Sequence, residues 1–278
     1  MKLYIFIFIL SASFMHCQGL QVIYEISYNP IKNNPKKEKE LMALEIDKNN
    51  SVFYSYAKVI SDSLYQKINI ANEANKNYLR SILPSQSFNE IIVKNYLDKK
   101  DQVIERFNGE YFSYPNSFNG KWEIQKSSKI INNYNCTAAK LFYGGRIWEA
   151  WFTNDIPIQD GPFLFQGLPG LILQISSDDG DYFISSKSIL KKKSTFELPS
   201  KIVTIKTLNK LIDIKKNYIR DPSAKSRQED AIDGISGTSI INGVKFNAVE
   251  SYKFLNNELW NWMKLHNNPL DKTDIWVR

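Results

Sequence analysis

The feature that most constrains this chain is a series of short apolar runs between residues 88 and 190, each ended by a turn signal. Residues 91–97 lead into Asp98-Lys99-Lys100-Asp101, and residues 103–107 into Asn108-Gly109. Residues 111–114 precede a Pro/Asn/Gly loop, and Trp122-Glu123-Ile124 opens the next run. Residues 136–143 and 146–152 flank Gly144-Gly145, a pair that takes the positive φ of a tight hairpin turn. Residues 171–176 and 182–190 flank Asp178-Asp179-Gly180 in the same way. Runs of this length and spacing are strands joined by hairpins, and a meander of antiparallel strands is the economical arrangement. Aromatic residues at 13% fit, because their rings favour half-buried pleated surfaces.

The flanking regions complete the expectation. Residues 22–28 place Val22, Tyr24, Ile26 and Tyr28 on one face of a strand. Residues 41–47 and 52–59 flank Lys48-Asn49-Asn50 as a hairpin, and Ser61-Asp62-Ser63 offers a cap for a helix within residues 61–80. Thr207 caps a helix over 207–218, residues 220–235 read as a polar loop, and 247–266 as a final helix. Phe254, Leu255, Leu259, Trp260 and Met263 supply the apolar side of that last helix. The expected class is therefore α+β: a β-rich curved antiparallel sheet packed with two or three helices. Residues 20–278 are expected to form a single domain.

Residues 1–19 read as a secretory signal peptide: one charge at Lys2, an unbroken apolar run over residues 3–10, and a small or polar exit ending at Gln18-Gly19. The apolar stretch is shorter than the roughly 18 to 20 residues that span a bilayer. Cys17 raises lipidation, but His16 precedes it where lipoprotein processing wants a small residue. No later stretch reaches membrane-spanning length, so the mature chain is expected to carry no transmembrane segment. The leader predicts export from the cytoplasm.

Removing the leader changes the available chemistry. The chain's net charge of +7 falls to +6 on loss of Lys2, spread thinly, with dense runs at Lys36-Lys37-Glu38-Lys39 and Lys191-Lys192-Lys193. There is no basic helix or aromatic RNP-type strand, so nucleic acid is not an expected partner. Cys136 and His266 become the one cysteine and one histidine. An intramolecular disulfide is excluded, as is a zinc site built on His and Cys. No Gly-x-Ser-x-Gly elbow and no phosphate loop is present. Cys136 reads as a buried thiol or, alternatively, as a nucleophile paired with His266. Glu149 lies between Trp148 and Trp151, facing the same side of a strand as Trp151, but a paired catalytic carboxylate cannot be assigned. Asp178, Asp179 and Asp181 surround Gly180 without the further ligands of a calcium loop. No cofactor and no metal are expected.

Residues 155–175 stand apart. Three prolines and three glycines make the segment irregular, yet Phe163, Leu164 and Phe165 make it apolar. Leu168-Pro169-Gly170-Leu171 suits a type II turn with Gly170 at positive φ. The aromatic groups either plug one end of the sheet or form a hydrophobic lip for a lipid, peptide or partner protein. As a lip, the binding residues would be Phe163, Leu164, Phe165, Leu168 and Pro169, with Trp151.

The hexapeptide Gly167-Leu168-Pro169-Gly170-Leu171-Ile172 resembles the signature of the GLPGLI family of exported bacterial proteins. Ala150-Trp151-Phe152-Thr153, Ile156-Pro157-Ile158 and Gly161-Pro162 match the family's upstream pattern, with Phe152 where Tyr is more usual. Cys136 with Ala139, and Asn268-Pro269-Leu270, extend the likeness over most of the mature chain. The resemblance implies export to the periplasm or outer membrane of a Gram-negative bacterium and a single domain, and brings no activity or catalytic residues. The strand order is also similar to lipoprotein-carrier folds, an analogy of fold and not of function. Together these readings point to an exported, non-enzymatic envelope binding protein for an apolar ligand or an outer-membrane partner. The alternative is an envelope enzyme using carboxylates such as Glu149 and Asp160, or the Cys136 thiol.

Overall fold

The computed structural model describes residues 19–277, apart from 71–74, 76–77, 80–81, 85, 234–238 and 242–243. The signal peptide lies outside the described residues, save Gly19. Twelve strands form one large sheet. The first are β1 (Leu20–Tyr28), β2 (Glu38–Ile46), β3 (Asn50–Ser55), β4 (Ile91–Asn95), β5 (Gln102–Phe107) and β6 (Glu110–Pro115). There follow β7 (Glu123–Ile131), β8 (Tyr134–Tyr143), β9 (Arg146–Thr153), β10 (Leu171–Ser177), β11 (Tyr182–Lys191) and the short β12 (Val203–Thr204). Two further strands, β13 (Ser239–Ile241) and β14 (Val244–Phe246), pair by themselves.

The sheet order is β12-β6-β5-β4-β3-β2-β1-β11-β10-β9-β8-β7. The expected meander is thus two meanders, β1 to β6 and β7 to β11, joined where β1 pairs with β11. All pairings are antiparallel except β12 on β6. The curved sheet does not close, because β12 and β7 remain at opposite ends. Local chemistry decides the hairpins. Asn108-Gly109 (φ 51° and 74°) and Gly144-Gly145 (59° and 73°) have the paired positive φ values of type I′ turns.

Four helices are described: α1 (Tyr56–Ile70), α2 (Leu208–Arg220), α3 (Ala224–Asp233) and α4 (Ala248–Leu265). Thr207 caps α2 as expected, its hydroxyl accepting from Lys210 N, and Asn247 with Glu250 forms a capping box on α4. Two expectations need correction. Helix α1 starts at Tyr56, directly after β3, so Ser61 lies inside it and not at its cap. Helix α3 occupies the stretch read as a loop. Its sequence is polar with no long apolar stripe, and Arg227 clasps Asp221 beyond its N-terminus in the ion pair that anchors it. No helix among the described residues is long and apolar enough to cross a membrane.

Alternation along the strands separates the two faces. Val22, Tyr24, Ile26 and Tyr28 of β1 share the inner face with Met42, Leu44, Phe53, Ile92, Val103, Trp148, Ala150 and Phe152, all buried. The inner face is covered by α2 through Leu211, by α4 through Trp262, and by the C-terminal Trp276 and Val277. On the outer face of the β1–β6 half, Ala43, Tyr54, Ile91 and Ile104 form a smaller cluster under Phe196 and Ile202. Glu45 holds that cover in place, accepting from Ser194 Oγ and from the amides of Thr195 and Phe196.

Candidate functional site

Between β9 and β10 the chain runs irregularly, for reasons its composition explains. Pro157, Pro162 and Pro169 lack amide donors, so a regular ladder cannot form here. Instead the segment makes three tight i→i+2 turns: Ile158 N to Ile156 O, Asp160 N to Ile158 O, and Gly170 N to Leu168 O, each 2.8 Å. It then folds back on itself through Leu171 N to Ile156 O (3.0 Å) and Ile172 N to Asp160 O (2.9 Å). The expected type II turn is not present. Gly167 has the positive φ, at 90°, while Gly170 is not among the positive-φ residues. Gly170 serves a close approach instead, since a Cβ there would stand 2.0 Å from the carbonyl oxygen of Thr153.

One buried ion pair fixes the segment to the sheet. Lys94, inward-facing on β4, donates to Asp160 Oδ1 (2.5 Å) and to the Gly161 carbonyl (2.6 Å), and neither charged side chain is exposed. Tyr96 OH donates to Asp160 Oδ2 (2.5 Å) and Gly161 N to Oδ1 (2.6 Å), so both carboxylate oxygens are engaged. Tyr24 OH adds a bond to the Ile172 carbonyl at 2.7 Å. Against these anchors Phe163 holds a left-handed φ of 50°, a conformation that a bulky residue keeps only when its surroundings impose it.

The structure places the expected lip residues mainly inside. Phe163, Leu164, Phe165 and Leu168 are buried. The Phe163 ring lies 4.7 Å from Phe53 and 5.4 Å from Phe88, and Phe165 lies 4.8 Å from Trp148. The segment therefore fills the inner face as a plug. Pro169 and Gly167 are exposed, and with Leu168 they border a groove of about 900 Å³. Trp151 belongs elsewhere: it is half-buried on the outer face, with Lys129 Nζ 4.0 Å from its ring centroid.

The groove has an apolar wall of Phe118, Trp122, Ile158 and Pro169, and Tyr96 also lines it. Trp122 Nε1 donates to the Gln166 carbonyl (2.9 Å), and Gln166 Nε2 to the buried Asp101 (2.5 Å), which ties the β6–β7 loop to the plug. Lys48 and Lys99 stand exposed at the rim beside Asp47. Sequence reading missed Phe118 and Trp122, because one lay in a turn-rich loop and the other read as the start of a strand. An aromatic residue inside a Pro/Asn/Gly loop was the available signal.

The remaining candidates are dispersed. Glu149 faces outward with Trp151, 3.8 Å from Lys140. Cys136 is buried, which pushes its thiol up, and its sulfur lies 3.5 Å from the Tyr134 carbonyl. His266 stacks on Trp262 at 4.2 Å, with Nδ1 2.9 Å from the Trp262 carbonyl. Two of the three aspartates around Gly180, Asp179 and Asp181, have a guanidinium as their cation. Arg146, fully enclosed, pairs with Asp179 and Asp181 and also donates to Asn268 Oδ1 and to the carbonyls of Pro269 and Leu270. Burial works against ionisation of Asp179, but hydrogen bonds from Ser177 and Lys272, with Arg146 alongside, outweigh it and hold the carboxyl at about 2. Among the described residues no group of three or more His, Cys, Asp or Glu is disposed to hold a metal ion.

The fold is thus an open, curved, largely antiparallel sheet with helices and an internal plug. Residues 145–174, which include the plug, match the model of a family described as a protein of unknown function (Porph_ging). The match covers that short stretch and carries that description, not the GLPGLI name. No curated protein matches the chain. Two solved structures of PNGF-II, in space groups C2 and P21, align with a TM-score of 0.49 at 15% and 16% identity, over 69% and 70% of this chain. They are covered to 31% and 32%, so the chain spans about a third of their length. The LolA superfamily protein NE2245 from Nitrosomonas europaea aligns with a TM-score of 0.24 at 10% identity, over 66% of this chain and 89% of its own.

Proposed function

We propose that this chain is an exported, non-enzymatic binding protein of the bacterial envelope whose ligand is an amphipathic molecule with a flexible apolar chain. The observation that carries the reading is the groove beside Gly167, Leu168 and Pro169. Its volume of about 900 Å³ falls within the range of ligand sites. Its wall of Phe118, Trp122, Ile158 and Pro169 offers rigid apolar surface, and the exposed Lys48 and Lys99 at its rim suit an anionic headgroup. The plug fills the inner face of the sheet, so the ligand would lie along the groove and not within the sheet. In this reading Leu168 and Pro169 touch the ligand, while Phe163, Leu164 and Phe165 anchor the plug in the core.

The test is displacement of the fluorescent apolar probe N-phenyl-1-naphthylamine, monitored with a lauroyl-chain anionic lipid. Trp122→Ala is expected to weaken probe binding about tenfold, the loss of one stacked aromatic anchor. Trp151→Ala, on the outer face, is expected to leave it unchanged. Equal effects of the two substitutions, or no probe binding by the parent chain, would overturn the reading. Export is tested separately, by N-terminal sequencing of the protein recovered from the envelope fraction, with cleavage expected near Gln18-Gly19.

A further inference from the structure

The two basic runs of the chain arrive at opposite ends of the sheet and in different states. Lys36-Lys37-Glu38-Lys39 leads into β2, where Lys37 donates to the Gly180 carbonyl (2.9 Å) and Lys39 pairs with Glu25 (3.2 Å). Lys191-Lys192-Lys193 lies where β11 ends, beside the start of β1 and the end of β2. There Lys191 stands opposite Leu20, and Leu20 opposite Ile46. Lys192 N donates to the Gly19 carbonyl (2.7 Å), and a Cβ added at Gly19 would meet Lys192 O, Lys193 Cα and Ile46 O within 3.1 Å. All three lysines are exposed, and none is held in an ion pair with a described residue.

Ile46 also lines the groove, so this run borders the groove's rim. Lys48 follows in the β2–β3 turn. Tyr96 N donates to the Asn49 carbonyl (2.9 Å), which sets the β4–β5 loop with Lys99 and Lys100 alongside. In the order β11-β1-β2-β3-β4 these are the ends of five neighbouring strands, a row about 19 Å long at the usual strand spacing. Lys48, Lys99 and Lys100 are exposed like the lysines of the run, so six ammoniums share the row. The carboxylates beside them are fewer and engaged. Asp47 and Asp98 accept from the amides of Lys48 (2.9 Å) and Lys100 (3.0 Å), while Asp101 and Glu45 are buried. Two apolar side chains stand out among the lysines: Leu97 in the β4–β5 loop, 74% exposed, and Leu190 on β11, 52% exposed.

We propose that this row is a docking surface for an anionic phospholipid bilayer, and that it sets the rim of the groove against the membrane. The surplus of positive charge selects an anionic partner and opposes a second copy of the chain, whose same face would be equally positive. Leucines that project singly between lysines suit a bilayer, which takes in apolar side chains at any spacing while its headgroups meet the ammoniums. An acidic protein would have to offer each leucine its own socket. The proposal concerns the surroundings of the groove and does not rest on what the groove holds.

The experiment is sedimentation of the chain, after removal of the leader, with vesicles of phosphatidylcholine alone or with about a third phosphatidylglycerol, at about 0.1 M salt, where charges act over about 10 Å. Binding to the anionic vesicles only is expected, weakening as salt is raised. Replacing Lys191, Lys192 and Lys193 together by Gln should weaken it on the order of a hundredfold, at about fivefold per lysine. Leu97→Ser should weaken it about tenfold, by removing the inserted side chain. Replacing Lys36, Lys37 and Lys39 by Gln removes as much charge from the opposite end of the sheet and should change nothing. Equal loss in the two triple variants, or equal binding to neutral vesicles, would overturn the proposal. So would no sedimentation with anionic vesicles, which would leave an acidic protein as the occupant. Trp122→Ala should sediment like the parent chain, and the Lys191–Lys193 variant should keep its binding of the apolar probe, so docking and groove binding fail separately.

Discussion

Two buried charge clusters sit on the inner face of the same sheet and are built on opposite plans. At Lys94 and Asp160 one ammonium meets one carboxylate, and every oxygen of that carboxylate accepts a bond. At Lys215 one ammonium is shared by Glu105 and Asp274 and also faces Glu90, whose Oε2 accepts no hydrogen bond. The first cluster is complete in itself and serves to pin the plug. The second shares one cation among several carboxylates and leaves Glu90 Oε2 without a hydrogen bond. Burial of charge alone therefore does not fix how a cluster is protonated; the balance of cations, donors and acceptors does.

The largest effect should come from breaking the closed cluster. Asp160→Ala leaves the Lys94 ammonium enclosed without a partner and is expected to cost about 3 to 5 kcal/mol in urea unfolding. The double substitution Asp160→Asn with Lys94→Met should recover much of that loss, and failure to do so would mean the pair does more than balance charge. Next, Gly170→Ala drives a Cβ against the Thr153 carbonyl, with an expected cost of about 1 to 3 kcal/mol from overpacking. Were Gly170 needed only for φ, the structure would have placed it in the left-handed region, which it does not.

The open cluster predicts a pH dependence. Glu90 has its carboxyl raised from 4.5 to about 8 in the fold, chiefly by burial. The folded state thus keeps a proton that the unfolded chain gives up. Its contribution to stability is full below about pH 4.5 and is lost as the pH rises to about 8, remaining flat above. Glu90→Gln should remove that slope in thermal unfolding followed from pH 5 to 9, and should raise Tm most at the alkaline end. An unchanged slope would assign the dependence to another group. Smallest of all, Phe142→Ser on the outer face, where Phe142 is 72% exposed, should shift stability by no more than about 0.5 kcal/mol.

Much of the fold was legible because it rests on local chemistry. The Asn108-Gly109 and Gly144-Gly145 turns, the alternation in β1, the Thr207 cap and the final helix follow from residues close in sequence. Helix α3 was missed because its polar composition gives no periodic stripe, and its ion pair to Asp221 is not visible as a pattern. The site was legible only in part. The segment 155–175 declared itself by composition, but which of its faces is wet depends on Lys94, some sixty residues away. Trp151 was grouped with that segment on proximity in sequence, whereas strand alternation puts its ring on the outer face.

By itself the sequence determined the class of fold, the positions of the hairpins and the near absence of histidine and cysteine chemistry after residue 19. These are consequences of turn residues, side-chain period and composition, all local or additive. Tertiary structure alone decided that β1 joins two meanders, that Phe163 and Phe165 point inward as a plug, and that Glu90 Oε2 and Trp276 Nε1 are buried without a hydrogen bond. Those outcomes depend on which groups from distant parts of the chain arrive at the same place, and pairing of buried charges is satisfied, or left open, only there.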